Sequence, residues 1–275
     1  MADIKDSFDI TGQVIAVTGG GGVLCSAMAK MLAAHGARLA VIDLFEDKAQ
    51  AVVDEITAAG GQAIAVKCDV LDRDSVEQAC TAIVDAFGRV DVLINGAGGN
   101  KKEATTSPDM PFFDLPADAV RWVFDLNIIG TVLPSQVFGK VMAKQKRGNI
   151  LNLSSMSAFK PLTKVLAYSA AKAGVSNFTM WLAVHMSQNY SPDIRVNALA
   201  PGFFLTEQNR FLLTDEGTGE LTQRGKQIID HTPMARFGQP EDLLGTVLWL
   251  LSPASAFVHG AVVPIDGGFS AYCGV

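Results

Sequence analysis

The sequence has no block of basic residues. Lys and Arg are scattered singly along its 275 residues and the net charge is −6. The clustered cationic stripe that tracks a phosphate backbone is therefore missing, and no nucleic-acid partner is expected. No apolar run is long enough to span a bilayer, so no membrane partner is expected. Met1–Asp9 mixes acids with a lone Lys around no apolar core, so no signal peptide is read there and a cytoplasmic location is expected. Cysteine is sparse, and Cys25, Cys68, Cys80 and Cys273 have no pairwise spacing suited to a metal site or a redox motif. They read as small buried apolar residues of a reducing compartment, and no metal is expected. Charged residues make up only 18% against 49% hydrophobic, which leaves ample material for a core and no disorder signature. Internal repeats, low-complexity segments and interdomain linkers are also missing. One large domain spanning 1–275 is expected.

What is present is an alternation of short β-branched runs with longer helical stretches, the pattern of a parallel sheet covered on both faces. About seven strands are expected: Val14–Thr18, Arg38–Ile42, Ala63–Lys67, Val90–Asn95, Asn149–Leu153, Arg195–Ala200 and Ala261–Ile265. Helices are expected from Val23 and over Asp47–Ala59, Ser75–Phe87, Ala117–Ala143, Ser169–Gln188 and Glu241–Leu251. Gly36 and Gly60 fit as C-terminal caps, and Pro240 fits at a helix start. The fold class is thus α/β, a doubly wound parallel sheet of the Rossmann type. Two segments, about 98–116 and 203–234, fit neither helix nor strand. Each follows the C-terminal end of a strand, where open α/β sheets bind ligands, so they are expected to form a substrate loop and a lid.

The first strand runs into Gly19-Gly20-Gly21-Gly22 and then Val23 and Leu24. Such a turn permits positive φ and close backbone approach, and the helix behind it offers unpaired N–H groups to a pyrophosphate. Asp43, ending the second strand, strengthens this weak signal. Its carboxylate can accept hydrogen bonds from adenosine ribose hydroxyls and would repel a 2′-phosphate. No Arg or Lys occupies positions 19–25 or 44. NAD is the expected cofactor, and a helix-capping role for Asp43 is the plain alternative.

Tyr168-Ser-Ala-Ala-Lys172 places a phenol and an ammonium on one helical face at i, i+4. A free phenol has a pKa of about 10. A nearby ammonium and an oxidised nicotinamide both favour phenolate, which brings the group toward working range as an acid/base. Ser155 follows the fifth strand, where its hydroxyl can bond a substrate oxygen. Asn127 lies within a long helix that it can bend. Together with Asn95-Gly96-Ala97-Gly98, these residues closely resemble the short-chain dehydrogenase/reductase family across nearly the whole chain. The resemblance implies a catalytic tetrad of Asn127, Ser155, Tyr168 and Lys172. Tyr168 would exchange the proton and Lys172 would bind the nicotinamide ribose and lower the Tyr pKa. Ser155 would stabilise the substrate oxygen, and Asn127 would complete a water relay. It also implies nucleotide contacts at Gly19, Gly22, Val23, Leu24, Asp43, Asp69, Val70, Asn95, Ala97, Pro201, Gly202, Phe204 and Thr206, besides Tyr168 and Lys172. The turn Asp266-Gly267-Gly268 reads as structural, and Arg236 as a lid brace to Glu241 and Asp242. One departure stands out: Val23 and Cys25 occupy the second and third glycine positions of the family's Thr-Gly-x-x-x-Gly-x-Gly pattern. Altered turn geometry with binding kept is expected.

Within that family, the stretches 98–106, 202–213 and 266–275 resemble the D-mannonate oxidoreductase (fructuronate reductase) branch. A hexuronate needs a cation for its carboxylate and several hydrogen-bonding groups for its hydroxyls. Asn100, Ser155, Ser157 and Arg210 are the candidates, with Gln208, Asn209, Lys101, Lys102, Lys160 and Lys164 behind them. Exposed Lys and Arg on loops are as readily solvated surface. Phe203 and Phe204 equally suit a greasier substrate. The readings carried forward are a keto-sugar-acid reductase, a 3-oxoacyl reductase or polyol dehydrogenase, and a non-catalytic NAD-responsive protein. The resemblance further implies a homotetramer, built through the helices of 117–143 and 169–188.

Overall fold

The computed structural model describes residues 4–205, 213–215 and 217–274. Its seven strands are β1 (Val14–Thr18), β2 (Arg38–Asp43), β3 (Gln62–Lys67), β4 (Val92–Asn95), β5 (Gly148–Leu153), β6 (Ile194–Pro201) and β7 (Val262–Ile265). They form one sheet in the order β3-β2-β1-β4-β5-β6-β7, parallel throughout. The helices are α1 (Val23–Ala34), α2 (Glu46–Ala58), α3 (Arg73–Phe87), α4 (Ala117–Phe124), α5 (Gly130–Gln145), α6 (Leu166–Asn189), α7 (Gln223–His231) and α8 (Glu241–Leu251).

Each strand alternates its side chains between two cores. In β1, Ile15 and Val17 join the apolar faces of α1, α2 and α8, whereas Val14 and Ala16 join those of α3, α5 and α6. Burial on both faces explains why the strand reads as an unbroken apolar run. Gly36 and Gly60 end their helices at φ of 81° and 85°, the left-handed region that a Cβ disfavours. The strand order reverses at β1, which has β2 on one side and β4 on the other. That reversal opens a crevice beyond the C-terminal strand ends, where a ligand can reach backbone from both halves.

Four features differ from the sequence expectations. The long helix over Ala117–Ala143 is two helices joined by a π turn at Asp125–Ile129, centred on Asn127. The lid holds a nine-residue helix, α7, where no regular element was expected. Its sequence has a glycine in the first turn and few apolar residues, yet Thr222 caps it by accepting from Gly225 N–H at 3.1 Å. The segment 98–116 contains two 3-10 turns, Lys102–Ala104 and Phe112–Asp114. Finally, Cys273 is exposed, while Cys25, Cys68 and Cys80 are buried; the C-terminal tail runs over the surface and has no core to enter. Among the described residues, no helix is long and apolar enough to cross a membrane.

Candidate active site

The glycine turn is shaped by close approaches. Gly19 has φ 64°, and a Cβ there would come within 2.9 Å of Ala97 backbone. Gly20 is pressed against Val41, and Gly21 against the stem of Lys48 and the Asp43 carboxylate. Asp43 holds the turn as well as facing the crevice: Oδ2 accepts from Gly21 N–H at 3.0 Å and Oδ1 from Phe45 N–H at 3.0 Å. Thr18 Oγ1 accepts from the N–H groups of Gly96 and Ala97 at 3.1 and 3.2 Å, tying the end of β1 to the turn after β4. Gly22 caps α1 without a side chain, so no side-chain acceptor occupies the first-turn N–H groups. Those open donors and the Cβ-free cradle fit a dinucleotide's pyrophosphate.

The two departures from the family pattern have a structural answer. Val23 opens α1 with its side chain 38% exposed. Cys25 points inward, and its Sγ fills the space beside Gly96 that any Cβ there would need. Burial pushes the Cys25 thiol up to about 12, which keeps it neutral beside Lys172. Tertiary packing also brings α2 to the turn: the stem of Lys48, in its first turn, packs against Gly21, while the Lys48 Nζ lies 5.3 Å from the centre of the Phe45 ring.

Other residues assigned to the nucleotide are placed as follows. Asn95 is buried, and its Nδ2 donates to Ser135 Oγ and Asn152 Oδ1, so its side chain serves the sheet and only its backbone faces the turn. Leu24 packs partly into the core beside α1. Asp69 Oδ1 accepts from Leu71 N–H, and Val70 is buried against Gly130. Pro201 ends β6, and Gly202 is pressed onto Asp266 too closely for any side chain. Phe204 is buried against Gly238 and the α8 core, and the half-buried Phe203 packs edge-on against Phe269 at 5.1 Å. Thr206, Gln208, Asn209 and Arg210 lie outside the described residues.

The tetrad residues converge at the end of β5 and the start of α6. Tyr168 lies near enough to Ser155 for that hydroxyl to lower the phenol's pKa. Ser155 Oγ accepts from Ser157 N–H at 3.2 Å, which holds it in place after the strand. Lys172 is buried, with Nζ donating to Leu153 O at 2.7 Å and lying 5.6 Å from the Tyr168 ring centre. Asn127 is wholly buried and clamps the loop after β4: Nδ2 donates to Gly99 O at 2.7 Å and Oδ1 accepts from Gly99 N–H at 3.2 Å. Its Nδ2 also bonds Val123 O at 2.8 Å, four residues back, which accompanies the widened turn of the helix. A Cβ on Gly98 would meet both Asn127 Oδ1 and Lys172 Nζ, so these two groups share one floor.

The electrostatics differ from the expectation that Lys172 draws the phenol down. Burial pushes Tyr168 above its ordinary value, and the nearby Ser155 hydroxyl works against that rise. Burial also pushes Lys172 down, to about 8. Burial thus favours the protonated phenol, the form that a proton donor needs.

Around this centre, Asn100 Nδ2 donates to Thr105 Oγ1 at 2.8 Å within the substrate loop. Lys101 Nζ is 5.4 Å from the Trp122 ring centre. Ser157 lines a surface groove with Leu162, Ser169, Ala170 and Ala173. Asp266 accepts from Gly268 and Ser270 N–H, confirming a structural turn. Arg236 is held by both Asp242 oxygens, at 2.6 and 2.8 Å, which is the lid brace expected of it.

Comparisons with known proteins agree with this geometry. A family model described as enoyl-(acyl carrier protein) reductase matches residues 23–270. The Bacillus subtilis (strain 168) protein named uncharacterized oxidoreductase UxuB is 53% identical, covering 97% of this chain and 98% of its own. A 3-oxoacyl-[acyl-carrier-protein] reductase of Synechocystis is 36% identical over 94% of this chain and 97% of its own. Among solved structures, a Haemophilus influenza protein provisionally named a D-mannonate oxidoreductase, with bound NAD, has a TM-score of 0.91 at 47% identity. That alignment covers 99% of this chain and 100% of the other. A Beutenbergia cavernae protein provisionally named an NAD(P)-dependent gluconate 5-dehydrogenase, with NADP at low occupancy, has a TM-score of 0.85 at 31% identity, covering 97% and 100%. The chain belongs to the short-chain dehydrogenase/reductase family and is an NAD(P)-dependent oxidoreductase.

Proposed function

We propose that this enzyme uses NAD(H) to interconvert a keto-sugar acid and its alcohol, D-fructuronate and D-mannonate, with Tyr168 as acid/base. The observation that carries the substrate reading is the full-length likeness to the NAD-bound Haemophilus protein named for D-mannonate. The placing of Tyr168 near Ser155 and Lys172, with Asn127 sharing the floor, supports the chemistry. When bound, the nicotinamide supplies or accepts the hydride. Tyr168 holds at its hydroxyl the proton that the substrate oxygen takes on reduction. Ser155 Oγ orients that oxygen, and Lys172 and Asn127 fix the floor and relay the replacement proton. Asp43 favours NAD(H), because its carboxylate would face a 2′-phosphate.

A 3-oxoacyl reductase is the second reading, favoured by the Synechocystis relative. The packing of Phe204 into the α8 core weighs against it. Two apolar surfaces support the homotetramer: Trp122 and Ile129 are exposed along the α4–α5 helix, and Met180, Trp181 and Val184 along α6. The test is NADH and NADPH oxidation across keto-sugar acids, neutral keto-sugars and acetoacetyl thioesters. The highest kcat/KM should fall on a keto-hexuronate with NADH. An acetoacetyl thioester turned over best would replace the sugar-acid reading.

A further inference from the structure

A carboxylate entering a cleft needs a cation that the protein has not already neutralised. Most arginines of this chain are spent. Arg236 is held by Asp242, and Arg195 makes four contacts, at 2.9–3.3 Å, with Leu250, Ser252 and Ser255. Arg224 is different. It lies in the first turn of α7, half-buried, and no ion pair among the described residues includes it. Among the described residues its hydrogen bonds are two long ones to a single residue: Nη1 to Thr163 Oγ1 at 3.3 Å and Nη2 to Thr163 O at 3.5 Å. Burial alone lowers its pKa, with no carboxylate acting in the other direction.

Its position suits a reader of substrate charge. Thr163 sits in the loop that joins Ser155 to Tyr168. The next residue, Lys164, accepts from Thr106 N–H of the substrate loop at 3.0 Å, and Leu162 N–H reaches Ser169 Oγ at the start of α6. Arg224 therefore bridges the lid to the strip of chain that carries both proton-handling groups. In a keto-hexuronate the carboxylate stands at the opposite end of the carbon chain from the keto group, so its partner belongs at the rim and not beside Tyr168.

We infer that Arg224 is the specificity-determining residue that takes the substrate carboxylate, its planar fork exchanging the weak Thr163 contacts for two charge-assisted hydrogen bonds. This rests on the sugar-acid reading. The experiment compares wild type, Arg224→Gln, Arg224→Lys, Thr163→Val and Arg210→Gln on D-fructuronate and on the neutral ketohexose D-fructose. NADH affinity, measured for each variant, serves as the check of folding. Arg224→Gln should raise KM for fructuronate by about 10- to 100-fold, with kcat and fructose turnover little changed. Arg224→Lys should recover part of that loss. Thr163→Val should leave the acid-to-neutral preference as in wild type, because the guanidinium is still there. Equal losses on both substrates, or a Thr163→Val protein that reproduces the Arg224→Gln shift, would make Arg224 a lid brace. A selective loss in Arg210→Gln without one in Arg224→Gln would move the role to Arg210. Wild type with no preference for the acid would sink the sugar-acid reading itself, and this inference with it.

Discussion

At the scale of single residues, the account rests on two buried groups displaced from their ordinary titration ranges. Tyr168→Phe keeps the ring and removes the proton, so kcat should fall roughly a hundredfold or more while NADH affinity changes little; steady-state rates and fluorescence titration separate the two. Lys172 gives a second test through stability. The folded chain holds its proton only to about pH 8, against an ordinary lysine value of 10.5 in the unfolded chain. Between those limits the unfolded state binds more protons, so stability rises with pH there, and below them the penalty of burying an ammonium applies in full. Relative to Lys172→Met, wild type should therefore gain on the order of 3 kcal/mol between pH 8 and pH 10.5, measured by denaturant unfolding. A flat difference would mean that Lys172 titrates as an exposed lysine does. The Tyr168–Lys172 pairing was legible in the sequence because i, i+4 spacing is a local property. Lys48 and Arg224 were not. Each meets its neighbour only because a helix packs against a segment distant in the sequence, and no spacing rule records that.

At the scale of elements, the crevice depends on how closely α1 approaches the turn after β4. Cys25 and Gly96 divide one small volume between them. Gly96→Ala should destabilise the fold by about 1–3 kcal/mol through overpacking. Cys25→Gly should relieve part of that cost in the double variant, since Thr18 O, 2.7 Å from the added Cβ, remains, and thermal melts of the four proteins close the cycle. Additive losses would show that the two positions do not share space. The sequence showed that Cys25 departs from the pattern, and it showed Gly96 as part of a separate motif. Their compensation appears only when the two elements are brought together. The strands and most helices were legible from apolar periodicity. The helix α7 was not, since its first turn carries Gly225, a residue required because Leu213 O leaves no room for a Cβ. The bend at Asn127 was expected, but its cause was not visible: the amide bonds Gly99 through both its N–H and its C=O.

At the scale of the whole molecule, the parallel order of the seven strands places the glycine turn, the Asn127 floor and the Tyr168 helix at one edge of the sheet. That convergence was readable as a fold class, because strands alternated with helices and each functional segment followed a strand end. The lid was not readable to the same depth, and its central stretch, with Arg210, lies outside the described residues. The claim to test is that this assembled edge moves a hydride onto the keto carbon of a sugar acid. The direct measurement supplies NADH deuterated at both C4 positions together with D-fructuronate and follows the product by mass spectrometry. The account predicts D-mannonate carrying one deuterium on the former keto carbon, formed by wild type and almost lost in Tyr168→Phe. Unlabelled product, no hexonate at all, or equal labelling by the Tyr168→Phe variant would contradict it.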